Sequence, residues 1–133
     1  MSILLSAKQK LMAKKVFIAH PIAGNIEENC RLVEEICREV HTREVLPFVP
    51  YLASLRYLDD TIPEQRELGI CVNKATLEFA DELWLCGPRI SSGMKQEVEW
   101  AVQLGKTIKC YNPELQNELE RIVEQFRTNQ PIK

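Results

Sequence analysis

The sequence predicts a small α/β domain: a doubly wound parallel sheet, flavodoxin- or Rossmann-like, with strand order about 2-1-3-4 and helices on both faces. Lys15–His20 (KVFIAH) is a continuous apolar run flanked by turn residues, as a central parallel strand requires. Strand and helix patterns then alternate as β-α-β-α-β-α-β-α, which favours a parallel sheet covered on both sides. Right-handed crossovers make 2-1-3-4 the natural order.

Pro21–Gly24 ends the first strand and Asn25 begins a helix, with Glu28 completing a capping-box pattern. Ile26, Cys30, Val33, Cys37 and Val40 trace one apolar face out to His41. Val45–Val49 is a second strand, and its Pro47 argues for an edge position. Tyr51–Ile62 has no sustained helical period and reads either as a functional loop or as a short irregular helix over the sheet edge. Pro63 opens a helix reaching about Ala80, with Pro at the favoured first position and Glu64 near the dipole. Its expected core stripe is Leu68, Val72, Ala75 and Phe79, with Ile70 and Leu77 nearly opposite. A helix apolar on two faces is buried on both or covered by a partner, so a homo-oligomer, dimer or higher, is expected.

Glu82–Cys86 is the third strand, Gly87–Gly93 a loop, and an amphipathic helix follows as far as the terminating Gly105. Thr107–Tyr111 is the fourth strand. Asn112 and Pro113 open a last helix striped by Leu115, Leu119, Ile122, Val123 and Phe126. The expected organisation is an amphipathic N-terminal extension (1–14, with Met12 as an alternative domain start), one α/β domain (15–127), and a polar tail (128–133).

The chain has 133 residues, 45% of them hydrophobic, enough for one domain with its own core. Its 17 basic and 19 acidic residues nearly balance, which gives no electrostatic reason to expect nucleic-acid or membrane-surface binding. No apolar run approaches a membrane span. Five cysteines, none in a C-x-x-C pair, and only two histidines offer no metal-site spacing. All five fall at apolar positions of predicted elements, as reduced thiols of a cytoplasmic protein would. Neither a metal nor a cofactor is expected.

In such a sheet the ligand crevice lies beyond the carboxyl ends of strands one and three. Two loops converge there: one holding His20, Pro21, Ile22, Gly24 and Asn25, the other Gly87, Arg89, Ser91, Ser92 and Gly93, with Met94 behind it. Glycine beside a helix start lets backbone N–H groups face an anion, and Arg89 and the serine hydroxyls add donors. On the helix, Met94, Val98, Ala101 and Val102 form the inward stripe. Glu97 lies at its border, while Glu99 projects away as surface. A carboxylate at a partly dry border can act as nucleophile or base.

VFIAHPIAGNIEEN resembles the first strand and loop of the nucleoside 2-deoxyribosyltransferase-like family. FADELWLCGPRISSGMKQEVEWAVQLGKTIKCY is similar to its core block: an A-D dipeptide, an apolar strand, a G-x-x-x-E-x-x-x-A helix start, then L-G-K and a strand. The likeness spans Lys15 to Tyr111 and is nearest to small bacterial and phage members. It implies that Glu97 is a nucleophile toward the anomeric carbon of a nucleoside or nucleotide, through an oxocarbenium-like transition state. The family places an aspartate eight residues before the aspartate of the A-D dipeptide; here that position is Asn73. His20 replaces the loop's usual glycine. Phe17 stands on the strand that holds the family's tyrosine, so Tyr51, Tyr57 and Asp60 are the expected contacts from the long loop.

Two functions follow as expectations. One is a nucleoside- or nucleotide-binding protein that cleaves or transfers at the N-glycosidic bond through Glu97. The other is a non-catalytic binder that senses or sequesters a nucleotide or (cyclic) ADP-ribose-type signal, as a phage anti-defence protein would.

Overall fold

The computed structural model describes residues 13–129; residues 1–12 and 130–133, with most of the expected extension and the end of the tail, lie outside the described residues. β1 (Lys14–Ala19) and β3 (Glu82–Leu85) form the centre of a four-stranded parallel sheet. β2 (Val45–Phe48) lies beyond β1 and β4 (Thr107–Cys110) beyond β3, giving the order 2-1-3-4. Helices α1 (Ile26–Val40), α3 (Pro63–Phe79) and α4 (Ser92–Leu104) make the crossovers, and α5 (Gln116–Thr128) closes the fold. A five-residue helix, α2 (Pro50–Ser54), follows β2.

Val16 to Ala19 are all buried, as a strand covered on both faces demands. Phe17 pairs with Leu83 and meets the Tyr51 ring of α2 at 6.3 Å. Ile18 pairs with Trp84, which stacks on Tyr111 at 6.3 Å; the Tyr111 hydroxyl donates to Glu39 of α1. The helices thus divide: α1 covers one face, while α2, α3, α4 and α5 pack in succession on the other side. At the opposite end of β1 the A-D dipeptide has a structural task. Asp81 N–H donates to the Lys15 carbonyl at 2.7 Å, and the Asp81 carboxylate accepts from Lys15 N–H at 2.9 Å. That backbone donor, with the Lys15 ammonium beside it, holds the Asp81 carboxyl below its usual range.

Three expectations are refined. Asn25 caps α1 through Glu28 N–H, as its pattern predicts, but the first stripe residue, Ile26, is exposed. Ser92 and Gly93 belong to the first turn of α4, not to the loop, because Ser91 caps that helix. The Tyr51–Ile62 stretch begins as the short helix that was one of its two readings and does not continue as an open loop. After α2 it continues as hydrogen-bonded turns, with Tyr57 and Leu58 N–H on the Ser54 carbonyl and Ile62 N–H on that of Asp59.

The expected core stripe of α3 turns outward, and Ile70, nearly opposite it, borders the crevice and stays 42% exposed. Leu77 is wholly buried, whereas Leu68 is 58% and Phe79 55% exposed, and Val72 and Ala75 lie outward with them. The inward side of α3 faces a polar crevice along much of its length, so it carries Arg66 and Asn73 where a dry core would need apolar residues. Hydrophobicity alone therefore points to the wrong side. Cys71, expected at an apolar position, is exposed on this outer surface, while Cys86 is buried and its thiol is pushed up to about 12 by desolvation. All five cysteines are unbridged. Among the described residues no helix is long and apolar enough to cross a membrane.

The outward turn of the stripe is testable by urea unfolding. Leu77→Ala is expected to cost about 2–5 kcal/mol, and Leu68→Ala no more than about 0.5 kcal/mol. Equal costs would restore the original stripe.

Candidate functional site

The chain reverses its direction of winding between β1 and β3, and the two loops leaving their carboxyl ends part around a crevice of about 600 Å³. The first loop is fixed from within. The His20 ring is buried, and its Nδ1–H donates to the Pro21 carbonyl at 2.7 Å, so Nε2 keeps its lone pair in the neutral ring. Asn29 of α1 reaches back to hold the Ile22 carbonyl at 3.0 Å. The second loop starts at Gly87, whose φ of +85° is one that side-chain-bearing residues rarely adopt. A Cβ there would lie 2.9 Å from both His20 Nε2 and Pro21 Cδ. The two loops therefore interlock, a glycine hollow against an imidazole. Asn112, past β4, adds a tie by donating to the Gly87 carbonyl at 2.9 Å.

From this hinge the second loop runs to the N-terminus of α4. Ser91 Oγ accepts from Met94 N–H at 3.3 Å, closing the cap. The Ser92 and Gly93 N–H groups, in the first turn, have no intrahelical acceptor. Both residues line the crevice with Arg89, so its mouth presents unpaired backbone donors, a helix dipole and a guanidinium. The opposite wall comes from α2, the turns after it and α3, through Tyr51, Ser54, Leu55, Asp60, Arg66 and Asn73.

Glu97 stands on the inner wall and is only 8% exposed, well inside the border position that the helical period suggests. No described residue hydrogen-bonds its carboxyl. Desolvation, with nothing to offset it, pushes the group up to about 8, so Glu97 holds its proton through neutral pH. Tyr51 beside it is buried, and its hydroxyl donates to the Ile18 carbonyl. Burial first, and then the charge Glu97 would carry, push the Tyr51 phenol well up. Asn73 adds a second unmet need: its buried Oδ1 has no hydrogen-bond partner. The crevice thus holds, among the described residues, an acid and an amide acceptor whose hydrogen-bonding capacity is unused, one able to donate and the other to accept.

Of the residues expected from sequence, the crevice gathers His20, Pro21, Ile22, Tyr51, Asp60, Asn73, Arg89, Ser91, Ser92, Gly93, Met94 and Glu97. Gly24, Asn25, Gly87 and Tyr57 lie outside its lining: Gly24 in the turn before α1, Asn25 as the α1 cap, Gly87 as the spacer between loops, and Tyr57 72% exposed. Glu99 is half-buried and borders a hollow between α4 and α5, away from the crevice. Sequence reasoning missed Ser54, Arg66, Ile70, Gln96 and Trp100. Arg66 and Trp100 were within reach, since Arg66 lies two helical turns before Asn73 and Trp100 one turn after Glu97, each on the same face of its helix; Ser54 carried no signal. Among the described residues no cluster of three or more His, Cys, Asp or Glu could hold a metal.

The molecule is thus a doubly wound α/β domain with a polar crevice at its topological switch point. The chain belongs to the family described as Domain of unknown function (DUF7768), whose model matches residues 14–111. That span holds all four strands and every crevice residue, and stops short of α5. No curated protein matches the chain.

The raised pKa of Glu97 fixes how stability responds to pH. In the unfolded chain the carboxyl ionises near 4.5, but in the fold only near 8. Between those values the folded state binds more protons, so stability falls as pH rises, by up to about 1.4 kcal/mol per unit from this group. Glu97→Gln is expected to flatten that slope and to be the more stable protein at pH 8. Parallel pH profiles for the two proteins in chemical denaturation would show Glu97 to be ionised already.

Proposed function

We propose that this chain binds a nucleoside or nucleotide in the switch-point crevice, as the nucleoside 2-deoxyribosyltransferase-like proteins it resembles do, and that it retains the ligand in preference to turning it over. The observation that carries this reading is Glu97: a carboxyl buried in the crevice without a protein partner, at the position matching the family's nucleophile. The Ser92 and Gly93 N–H groups and Arg89 suit a phosphate, and the orphan Asn73 Oδ1 suits an N–H or O–H of the base or sugar.

Cleavage would need Glu97 as a carboxylate. An oxygen of that carboxylate would attack the anomeric carbon, the C–N bond would break, and the base would leave with the electron pair and require a proton. At neutral pH Glu97 is an acid, a donor in place of a nucleophile. Asn73, where the family has an aspartate, has no proton to give. Both features favour binding. They suit a protein that senses or sequesters a nucleotide or an ADP-ribose-type signal.

Deoxynucleosides, their monophosphates and ADP-ribose derivatives are to be offered at pH 6 and pH 9, with binding followed by calorimetry and free base by chromatography. A ligand is expected to bind at pH 6 and to lose about tenfold in affinity above pH 8, as Glu97 loses the proton it donates. Intact ligand should be recovered on denaturation. Base release by the parent protein, rising toward pH 8 and abolished in Glu97→Gln, would make it an enzyme. No binding by any of these ligands would sink the nucleotide reading.

A further inference from the structure

The crevice differs in charge from the chain around it. The protein carries a net charge of −2, yet the ionised groups lining the crevice are two guanidiniums, Arg66 and Arg89, against one carboxylate, Asp60, because Glu97 keeps its proton. Neither arginine forms an ion pair with a described residue, although Arg31, Lys14, Lys15 and Lys109 each do. Both are exposed, so their charge is open to whatever occupies the crevice.

The two arginines stand on facing walls. Arg89 belongs to the loop that enters α4, beside the Ser92 and Gly93 N–H groups, whereas Arg66 lies in the opening turn of α3. Parallel strands joined by crossover helices bring the N-termini of α3 and α4 to the same edge of the sheet, so both cations sit toward the mouth. Each helix then leads inward to a group with nothing to bond: Gly93 to Glu97 covers about 6 Å of helix, and Arg66 to Asn73 about 10 Å. Glu97 is more than nine-tenths buried and Asn73 Oδ1 is buried, and neither has a hydrogen-bond partner among the described residues. These two unmet groups make the α4 N-terminus part of a built site and not a bare helix end.

One phosphate does not use both cations. A terminal phosphate presents three oxygens, and the Ser92 and Gly93 N–H groups with a two-pronged Arg89 supply a donor to each. Arg66, on the other wall, is left over. In a nucleotide, the group bonded to the first phosphate on the side away from the sugar is a second phosphate. We infer that the nucleotide this crevice takes carries a diphosphate, with the sugar-side phosphate held by Arg89 and the α4 N-terminus and the second phosphate held by Arg66. The inference rests on the nucleotide reading above. The diphosphate is either terminal, as in a nucleoside diphosphate, or a bridge, as in ADP-ribose.

Calorimetry on the full chain, at about pH 6.5, compares the mono- and diphosphates of adenosine, guanosine, cytidine and uridine, with ADP-ribose beside ADP. For at least one base the diphosphate should bind about tenfold tighter than the monophosphate, as one added charge-assisted contact gives. Arg66→Gln should abolish that difference and leave the monophosphate's affinity unchanged. Arg66→Lys should restore part of it, since lysine keeps the charge without the fork. Arg89→Gln should weaken mono- and diphosphate alike. Both side chains are exposed, so the urea midpoints of these variants should match the parent's. ADP-ribose that binds at least as tightly as ADP, with the same sensitivity to Arg66→Gln, makes the diphosphate a bridge; tighter ADP makes it terminal. Equal affinity for mono- and diphosphates, or an Arg66→Gln loss shared equally by both, would overturn the inference and leave the nucleotide reading standing. Binding of neither class would end both.

Discussion

A carboxyl removed from water must find a partner or keep its proton, and Glu97 has no hydrogen-bond partner among the described residues. Much of the structure around the crevice depends on that constraint. The helix that carries Glu97 is pinned by its Ser91 cap and by Met94, Val98 and Ala101 in the core, so the side chain cannot swing out to water. The buried Tyr51 hydroxyl donates its hydrogen bond to the Ile18 carbonyl of β1. The protein keeps a neutral acid at the crevice floor while collecting its positive character at the mouth, in Arg66, Arg89 and the α4 N-terminus. The ligand proposed above would meet different chemistry in the two regions: donors for an anionic group outside, a neutral hydrogen-bonding acid within.

The fold was almost wholly legible in the sequence, because it rests on local patterns that do not compete. The KVFIAH run, the Asn25 and Ser91 caps, Pro63 at a helix start and Gly105 at a helix end each act over a few residues and agree with one another. The exception is α3. Its outward line is more apolar than its inward one, since the inward side serves a crevice and the outward side is uncovered among the described residues. Periodicity reports that a face is apolar, not what lies against it.

The site was legible in part for a related reason. The topology rule finds the two loops, and helical spacing finds Glu97 and Asn73, since each depends on backbone geometry. Gly87 was read as a ligand contact because glycine at a strand end suits an anion; its hollow is filled instead by His20. Ser54 and the depth to which Glu97 is buried follow from how α2 and α3 close over the sheet, which no short window of sequence encodes.

The interlock of His20 with Gly87 also bears on the route by which a molecule reaches the floor of the crevice. With the imidazole seated against the glycine and Asn112 holding the Gly87 carbonyl, the two loops form a fixed sill, and parting them would break a strand-end ladder that includes Cys86 N–H on the Ala19 carbonyl. The opposite wall is one and a half turns of helix, then turns tied by Leu58 N–H on the Ser54 carbonyl, Asp59 N–H on Gln65 Oε1 and Thr61 on the Asp59 carboxylate. On the proposed reading, the ligand is held against a rigid sill on one side and a turn-built wall on the other.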